Sequence, residues 1–169
     1  VDTLRADRLS CYGYPRLTTP FLDSLALQGV RFDRAYATSS WSVPTVVSIL
    51  TSLYGMTHGV KHGAVDETGA IVDQPMLDLG IDVLPELLQW GGYQTIGVTA
   101  NGHLDARLGF ARGVDSYHCA GFLEGDALRK PLREATERID SRRPYFLWVH
   151  YFDPHAPYDT RGPKLPEFL

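Results

Sequence analysis

Cysteine is scarce in this 169-residue chain, which contains only Cys11 and Cys119. The two lie far apart and form neither a CxxC pair nor a zinc-finger spacing, so the pattern excludes a dithiol redox motif and a structural zinc site. We expect two buried free thiols, with a disulfide between them as the alternative. The cysteines therefore leave the redox compartment of the protein open.

Long apolar runs and clusters of basic residues are also missing. No segment approaches the roughly 20 apolar residues of a membrane-spanning helix, and the net charge is −4 with no Lys/Arg run. We therefore predict no membrane span in this segment and no nucleic-acid partner. An acidic balance still permits an anionic substrate, because a bound metal ion can supply positive charge locally.

No methionine stands at position 1. The chain begins with Val1-Asp2-Thr3, without a strand before Asp2, and it ends at 166–169 directly after a proline-rich loop. We expect both ends to be truncated, so that residues 1–169 are one incomplete domain. The lack of a signal peptide then carries no information.

Segments typical of strands and of helices alternate along the chain, which predicts an α/β fold with a mostly parallel sheet flanked by helices. Ligands bind beyond the carboxyl ends of the strands in such sheets. Asp2 and the segments 101–103 and 150–155 follow predicted strand ends. The predicted elements are helices from Thr19-Pro20 to Gly29, after Ser42, from Asp82 to Gly91 and over 125–140, strands at 95–98 and 145–149, and irregular segments over 61–79 and 101–117.

Ser42 is the residue that the pattern singles out for chemistry. It stands two positions before Pro44 at the start of an apolar helical run. Backbone N–H groups without helical partners and the positive end of the helix dipole favour an anion at such a place. The hydroxyl can simply cap the helix, or it can attack an ester of an anion that the helix helps to hold. We expect the proline at the first helical position.

Asp2, His155 and His103 complete the set of candidate site residues. Asp2 is either a turn cap or a ligand of a hard cation such as Ca²⁺ or Mg²⁺, which would need further oxygen ligands from elsewhere. His155 stands between Pro154 and Pro157, which stiffen the loop and can aim the imidazole at an anion or a leaving group. The alternative for His155 is an exposed polar residue. His103 is a weaker candidate for the same roles as His155.

The order of short motifs along the chain resembles the N-terminal part of the sulfatase family, within the alkaline-phosphatase-like superfamily. The resemblance runs almost from end to end, and it is carried by the ordered set rather than by any single motif. The motifs are 2–14 (DTLRADRLSCYGY), 19–26 (TPFLDSLA), 32–36 (FDRAY), 42–45 (SVPT), 53–59 (LYGMTHG), 92–95 (GYQT) and 153–158 (DPHAPY).

This resemblance implies an alkaline-phosphatase-like fold, incomplete here, in which 1–169 are the N-terminal part of a single catalytic domain. It implies a metal-dependent hydrolase of sulfuric esters with Ser42 at the nucleophile position. Asp2 and Ser42 match metal-ligand positions, and His155 and His103 match substrate-binding positions. The family's nucleophile is a formylglycine made from Cys or Ser, whose hydrated form attacks sulfur and then expels sulfate by elimination.

The resemblance also implies a cofactor and a class of substrate. One divalent ion is expected, Ca²⁺ for a sulfatase and Mg²⁺, Mn²⁺ or Zn²⁺ for a phosphoesterase, and it lowers the pKa of the nucleophile and neutralises the ester oxygens. The substrate is a small-molecule or glycan ester of sulfate or phosphate. Family members are often exported, to the periplasm or the extracellular space, which is a tendency of the family and not a property of this sequence.

Three positions depart from the family pattern. Thr3 stands in place of a second aspartate, and Val46 in place of the arginine four residues after the nucleophile. The family's second recurrent motif, which begins here with GYQT at 92–95, contains a lysine further on. Ala100 or Asn101 stands at the position of that lysine. The arginine helps the maturation machinery recognise its target, so the change at Val46 bears directly on formylglycine formation.

Three functions stay open. The first is a sulfuric-ester hydrolase with a modified Ser42. The second is a hydrolase or phosphotransferase of phosphoesters or phosphonates with an unmodified Ser42, because a phosphoserine can be hydrolysed at a metal site whereas a serine sulfate has no easy elimination. The third is a non-catalytic member that binds an anion. We expect the isolated 169-residue piece to expose apolar surface and to have no hydrolase activity.

Overall fold

The computed structural model describes residues 1–61 and 80–156. The predicted irregular segment 61–79 therefore lies, except for Lys61, outside the described residues. The helices are α1 (Pro20–Gln28), α2 (Ser42–Thr51), α3 (Gly55–His58), α4 (Leu84–Trp90) and α5 (Arg129–Glu137), and the strands are β1 (Gln94–Thr99), β2 (Ser116–Cys119) and β3 (Tyr145–His150). Short 3-10 turns lie at Ala6–Arg8, Ser10–Tyr12, Gly102–Leu104, Ala106–Leu108 and Gly125–Leu128.

The chain divides into two compact units. Among the described residues, the first consists of Val1–Tyr36 together with 153–156, and it holds α1. The second, Ala37–Phe152, holds α2 to α5 and the three strands. Compact units of this size can belong to one domain or to two, so the expectation of a single domain over 1–169 stays a prediction.

The three strands form a parallel sheet with β1 in the middle, in the order β2-β1-β3. Ile96 pairs with Ser116 on one side and with Leu147 on the other. Five of the six residues of β1 are buried, as expected for a parallel strand that is covered on both faces. The predicted α/β fold with a parallel sheet is confirmed for the described residues.

Helices cover both faces of this sheet. On one face, Ile96 and Val98 of β1 pack with Ala135 of α5. On the other face lies a larger apolar cluster, which we call the α2 core because α2 supplies the largest share of it. The α2 core consists of Val43, Val46, Val47, Leu50, Val60, Val83, Leu104, Leu108 and Phe110, with Tyr117 and Trp148 packed against it.

The α2 core fixes α2 in place. Six of the ten residues of α2 are buried, and Val43 and Val47 have no exposed surface. Full burial of a valine side chain contributes roughly 1.5–3 kcal/mol, so this helix is held mainly by packing. It stops at Ser52, whose φ of 58° lies in the left-handed region that ends helices.

In the first unit, polar contacts hold α1, which begins and ends where the sequence predicts. No residue of α1 is buried, and Phe21 and Leu27 are 73% and 88% exposed. Asp23 accepts hydrogen bonds from the Ser10 hydroxyl at 2.6 Å and from the Cys11 N–H at 2.8 Å. These bonds tie α1 to the turn that precedes it.

Three local expectations differ from the structure. β2 lies at Ser116–Cys119, where an irregular segment is predicted; it has no apolar run, and its conformation comes from pairing with β1. Val83 rather than Asp82 occupies the N-cap position of α4, because Glu86 Oε2 accepts a hydrogen bond from the Val83 N–H at 3.2 Å. The helix predicted over 125–140 is a 3-10 turn followed by the shorter α5.

Two findings bear on the expectations from composition. Cys11 and Cys119 are free, which confirms two thiols and excludes a disulfide between them, although both are half-buried rather than fully buried. Among the residues that the structure describes, no helix combines the length and the apolar character needed to cross a bilayer.

Candidate active site

Ser42 is the first helical residue of α2. Trp41 occupies the N-cap position in an extended conformation, with φ −147° and ψ 165°. A side chain caps a helix from the N-cap position, one residue before the first helical residue, so Ser42 does not stand where it would cap α2. It is half-buried, at the helix end where the dipole favours negative charge.

Pro44 is the third helical residue of α2, so the prediction of a proline at the first helical position is wrong. Proline is tolerated there because the N–H groups of the first turn have no partner within the helix. Ser42 and Val43 carry the two helical N–H groups that precede it. Thr45 Oγ1 donates to the Ser39 carbonyl at 3.2 Å, which ties the chain before Ser42 to the helix.

Val46 lies inside the α2 core and is only 6% exposed. It follows Ser42 by about one helical turn, at the position where the resemblance leads us to expect an arginine. A guanidinium at this place would either sit among apolar side chains such as Val43 and Leu104, which is costly for an unpaired charge, or displace them. The chain therefore uses position 46 for packing and not for charge.

His103 lies in the 3-10 turn directly beyond the carboxyl end of β1. Its ring meets Phe122 edge to face, with 4.9 Å between the ring centroids. A Cβ atom at Gly102 would come within 2.6 Å of the Phe122 ring, so the glycine permits this close approach. Leu104, the next residue, is fully buried in the α2 core. The structure thus attaches the segments of His103 and Ser42 to one apolar core.

The sequence analysis places Asn101 in the segment after a predicted strand end and at one of two positions where the family has a lysine, but it assigns no role to this side chain. It is 2% exposed, and its Oδ1 accepts a hydrogen bond from the His103 N–H at 3.0 Å. The thiol of Cys119 approaches the Asn101 carbonyl at 3.5 Å as a weak donor. Asn101 thus shapes the turn that carries His103. An asparagine placed directly after a buried strand is the sequence signal for such a turn.

Asp2 lies in the first unit and is 7% exposed. The residue after it, Thr3, has a φ of 48°, which is a left-handed conformation that β-branched residues rarely adopt. Strained backbone of this kind is concentrated at functional sites. Thr3 is also the position at which the resemblance expects a second aspartate.

His155 belongs to the first unit as well and is exposed. Its Nδ1 lies 2.7 Å from the carbonyl oxygen of Ala156. Because a carbonyl oxygen can only accept, Nδ1 carries a hydrogen, and Nε2 carries the lone pair in the neutral ring. Two candidate residues therefore lie in each unit: Asp2 and His155 in the first, Ser42 and His103 in the second. Their chemical roles stay predictions.

A metal ion needs more ligands than these residues supply. Within 1–61 and 80–156, no group of three or more His, Cys, Asp and Glu side chains is arranged to hold a metal ion. Asp2 offers one buried carboxylate, while Ca²⁺ takes about six to eight oxygen ligands. The described residues therefore do not form a complete metal site by themselves.

Comparison with known proteins identifies relatives of this chain. The family model described as Sulfatase matches residues 1–167. An N-acetylgalactosamine-6-O-sulfatase of Bacteroides thetaiotaomicron is 36% identical over 114 residues, which are 68% of this chain and 21% of that protein. An N-acetylglucosamine-6-O-sulfatase of the same organism is 37% identical over 94 residues, 56% of this chain and 15% of that protein. The chain thus spans about a fifth or less of the curated relatives it matches.

A solved structure of a protein in complex with its substrate, D-glucosamine-2-N,6-O-disulfate, has a TM-score of 0.77 to this chain. The sequences are 22% identical, and the alignment covers 94% of this chain and 34% of the other. At this identity the likeness concerns the fold alone. It confirms the alkaline-phosphatase-like α/β fold, of which this chain has a part.

Proposed function

This chain belongs to the sulfatase family, and we propose that it carries the nucleophile position, Ser42, of a metal-dependent hydrolase of sulfuric esters. The observation that carries the proposal is the place of Ser42, at the first residue of a helix that buries six of its ten residues and supplies four of them to the α2 core. A hydroxyl at the N-terminus of a rigid helix lies where the helix dipole stabilises the negative charge of an ester and of its transition state.

The reaction must break the ester S–O bond and then release sulfate from the protein. A serine hydroxyl that attacks sulfur expels the alcohol of the substrate and is left as a sulfate ester. In the formylglycine form of Ser42, the hydrated aldehyde has two hydroxyls: one attacks sulfur, and loss of the proton from the other re-forms the aldehyde and expels sulfate. That form requires a two-electron oxidation of the Ser42 side chain, which a separate maturation system with its own electron acceptor would perform.

We assign supporting roles to the other candidate residues. His103 and His155 bind the sulfate group, and the proton for the leaving alcohol comes from one of them, because an imidazole can act as a general acid toward a departing oxygen. Asp2 and Ser42 each contribute one ligand to a divalent cation, whose further ligands lie outside the described residues. Ca²⁺ suits oxygen ligands, and when bound it would lower the pKa of the nucleophile and offset the charge of the ester oxygens.

The substrate class that we propose is a sulfate ester of a sugar. The two bacterial relatives are named for 6-O-sulfates of N-acetylgalactosamine and N-acetylglucosamine, and the solved neighbour binds a sulfated glucosamine as its substrate. In this chain, Phe122 is 53% exposed and contacts His103. It offers an aromatic face beside the candidate site, and such faces commonly line ligand pockets.

Val46 favours a second candidate function, hydrolysis or transfer of phosphoesters or phosphonates by an unmodified Ser42. The arginine that supports maturation in the family is replaced here by a valine in the α2 core. A phosphoserine formed at Ser42 would not need an aldehyde, because water can attack phosphorus and break the serine P–O bond in a second step. Mg²⁺, Mn²⁺ or Zn²⁺ would then be the cation.

The test compares the intact protein from its native host with the variants Ser42→Ala and Ser40→Ala. The assays use a 6-O-sulfated amino sugar and an aryl phosphate. Ser40 is an exposed serine two residues away and is the matched control. We expect Ser42→Ala to lower kcat/KM about 1,000-fold or more, as loss of a nucleophile does. Ser40→Ala should stay within about twofold of wild type, and a chelator should abolish turnover until Ca²⁺ is returned.

The pattern of substrates separates the candidate functions. Turnover of the sulfated sugar alone supports the sulfuric-ester hydrolase, and turnover of the aryl phosphate alone supports the second candidate. Binding of either ester without turnover by wild type would indicate a non-catalytic family member. Full activity in Ser42→Ala would refute the nucleophile role of Ser42.

A further inference from the structure

We propose that Ser48 and His58 form a buried positioning pair that holds the first turn of α2, and with it Ser42, in the orientation needed for catalysis. Ser48 lies in the middle of α2 and is 8% exposed, and His58 ends α3 and is 5% exposed. The proposal rests on the proposed function only where it concerns turnover. Neither residue belongs to the candidate site described above.

The hydrogen bonds of His58 determine its tautomer. The Val60 N–H donates to His58 Nδ1 at 3.1 Å, so Nδ1 must present its lone pair. Nε2 lies 3.1 Å from Ser48 Oγ, and in a neutral ring it is the nitrogen that carries the hydrogen. Nε2–H therefore donates to the Ser48 hydroxyl. The ring connects the chain just beyond α3 with the middle of α2.

Ser48 connects the ring to the first turn of α2. In an α-helix the Ser48 N–H donates to the carbonyl of Pro44, one helical turn earlier, and the Pro44 carbonyl also favours the charged form of the imidazole. Since Pro44 is two residues beyond Ser42, a displacement of Ser48 bears directly on the turn that carries the candidate nucleophile.

The surroundings of His58 favour its neutral form. Burial lowers the pKa of His58, and this effect outweighs the nearby backbone carbonyls, which favour the charged ring. α2 contains no ionisable residue; in α4, which packs against α2, Glu86 is paired with Arg112 at 2.9 Å. Lys61, just beyond the α2–α3 segment, is exposed. Protonation at Nδ1 would also break the bond that the backbone N–H makes to it.

The short length of α3 explains why such a pair is needed. α3 has four residues, far fewer than a helix needs to persist on its own. A buried hydroxyl or imidazole that loses its partner keeps the full cost of its desolvation, so Ser48 and His58 stabilise each other's burial. Displacement of α3 would leave Ser48 without this partner and would loosen the part of α2 that follows its first turn.

Two substitutions at His58 separate its two hydrogen bonds in the intact protein. His58→Asn keeps an acceptor near the Nδ1 position for the Val60 N–H but is too short to reach Ser48. His58→Gln keeps an N–H donor near the Nε2 position and cannot titrate. Ser48→Ala removes the acceptor on α2. Thr51→Val is the matched control, because the Thr51 hydroxyl donates to the Val47 carbonyl within α2 at 2.7 Å.

Hydrogen exchange read by mass spectrometry provides the main readout. The backbone amides of residues 46–48 bond to the carbonyls of residues 42–44 in an α-helix, so their exchange reports on the first turn. We expect exchange there to be about five- to tenfold faster in His58→Asn and Ser48→Ala, the effect of losing one hydrogen bond. His58→Gln and Thr51→Val should stay within about twofold of wild type. Unchanged exchange in His58→Asn, or equal acceleration in Thr51→Val, would overturn the proposal.

A pH series gives a signature that a general loss of stability does not give. In wild type, exchange of these amides, corrected for its intrinsic pH dependence, should accelerate as the pH falls through the lowered pKa of His58, because the charged ring is unfavourable in its buried place and leaves its contact with Ser48. His58→Gln should show no such acceleration. An equal pH response in wild type and His58→Gln would show that the His58 ring does not hold the first turn of α2.

Kinetics connect the pair with the proposed function. On the sulfated sugar, His58→Asn should lower kcat about five- to tenfold with KM within about twofold of wild type, and His58→Gln should restore kcat. If kcat stays at the wild-type value in His58→Asn, the pair does not position Ser42. If wild type hydrolyses no ester at all, the proposed function fails, and the exchange measurement still decides whether the pair holds the first turn.

Discussion

The helices α1 and α2 are of nearly equal length, nine and ten residues, and each has a proline in its first turn, but they are held in different ways. α2 buries six residues, and α1 buries none. The contacts of α1 are polar ones centred on Asp23, whereas α2 is fixed by the apolar side chains of the α2 core. A candidate nucleophile is therefore carried by the helix that packing holds.

The difference shows what an apolar stripe can and cannot predict. Both helices have apolar residues at helical spacing, and both were predicted correctly as helices. The stripe of α1 is exposed in the described residues, while that of α2 is buried even at Val46. Periodicity thus predicts the conformation of a segment, while tertiary contacts decide which of its side chains become core.

The largest effect that we predict tests the packing of α2. Val46→Arg, which introduces the arginine of the family pattern, should lower the free energy of unfolding by about 3 kcal/mol or more, because it places an unpaired charge in the α2 core. The measurement is urea denaturation of the intact protein. The matched control is Ile49→Arg on the same helix, where the side chain is 65% exposed.

The control should change the free energy of unfolding by no more than about 0.5 kcal/mol, as surface substitutions usually do. If Val46→Arg were as stable as Ile49→Arg, position 46 would accept a charge. The contrast between a packed α2 and a polar-bonded α1 would then lose its basis, and so would the argument that favours an unmodified Ser42.

A smaller effect tests the polar contacts of α1. The hydrogen bond from the Ser10 hydroxyl, with that from Thr19 and from the Cys11 N–H, lowers the pKa of Asp23. A carboxyl with a lowered pKa in the folded state contributes stability above its unfolded pKa of about 3.9, and this contribution is lost as the pH falls through the folded value. Asp23→Asn should therefore lower Tm at pH 7 and flatten the acid dependence of Tm.

Asp33→Asn is the control for this prediction, because Asp33 is 71% exposed and forms a surface ion pair with Arg31. Such pairs contribute about 0–1 kcal/mol, so Tm at pH 7 and its acid dependence should stay close to wild type. An acid dependence of Asp23→Asn as steep as that of wild type would show that Asp23 does not hold α1.

The elements that depend on local pattern were predictable. Helices α1 and α2 and strands β1 and β3 follow from apolar spacing and from their flanking glycine and proline residues. β2 did not follow, because Ser116–Cys119 has no apolar run and becomes a strand only by pairing with β1. The N-cap of α4 also depends on a side chain, that of Glu86, whose bond to Val83 cannot be read from the order of residues alone.

The candidate site was predictable in part. The sequence selected Ser42 and His103, and the structure attaches their segments to one core. It did not select the pair of Ser48 and His58, because that contact depends on how the chain turns back between α2 and α3. The roles of Asp2 and His155 stay predictions, since spacing alone does not fix the ligands of a metal ion or of a sulfate group.

The chemical state of Ser42 shows whether this residue is the nucleophile of the protein. The measurement is mass spectrometry of the peptide that contains residue 42, from native-host protein at rest and after an acid quench during turnover. We predict a covalent change at Ser42: a side chain lighter by two hydrogens, as its aldehyde, if sulfuric esters are hydrolysed, or a phosphate group after the quench if phosphoesters are. If the protein hydrolyses either ester while Ser42 stays an intact serine in both samples, Ser42 is not the nucleophile.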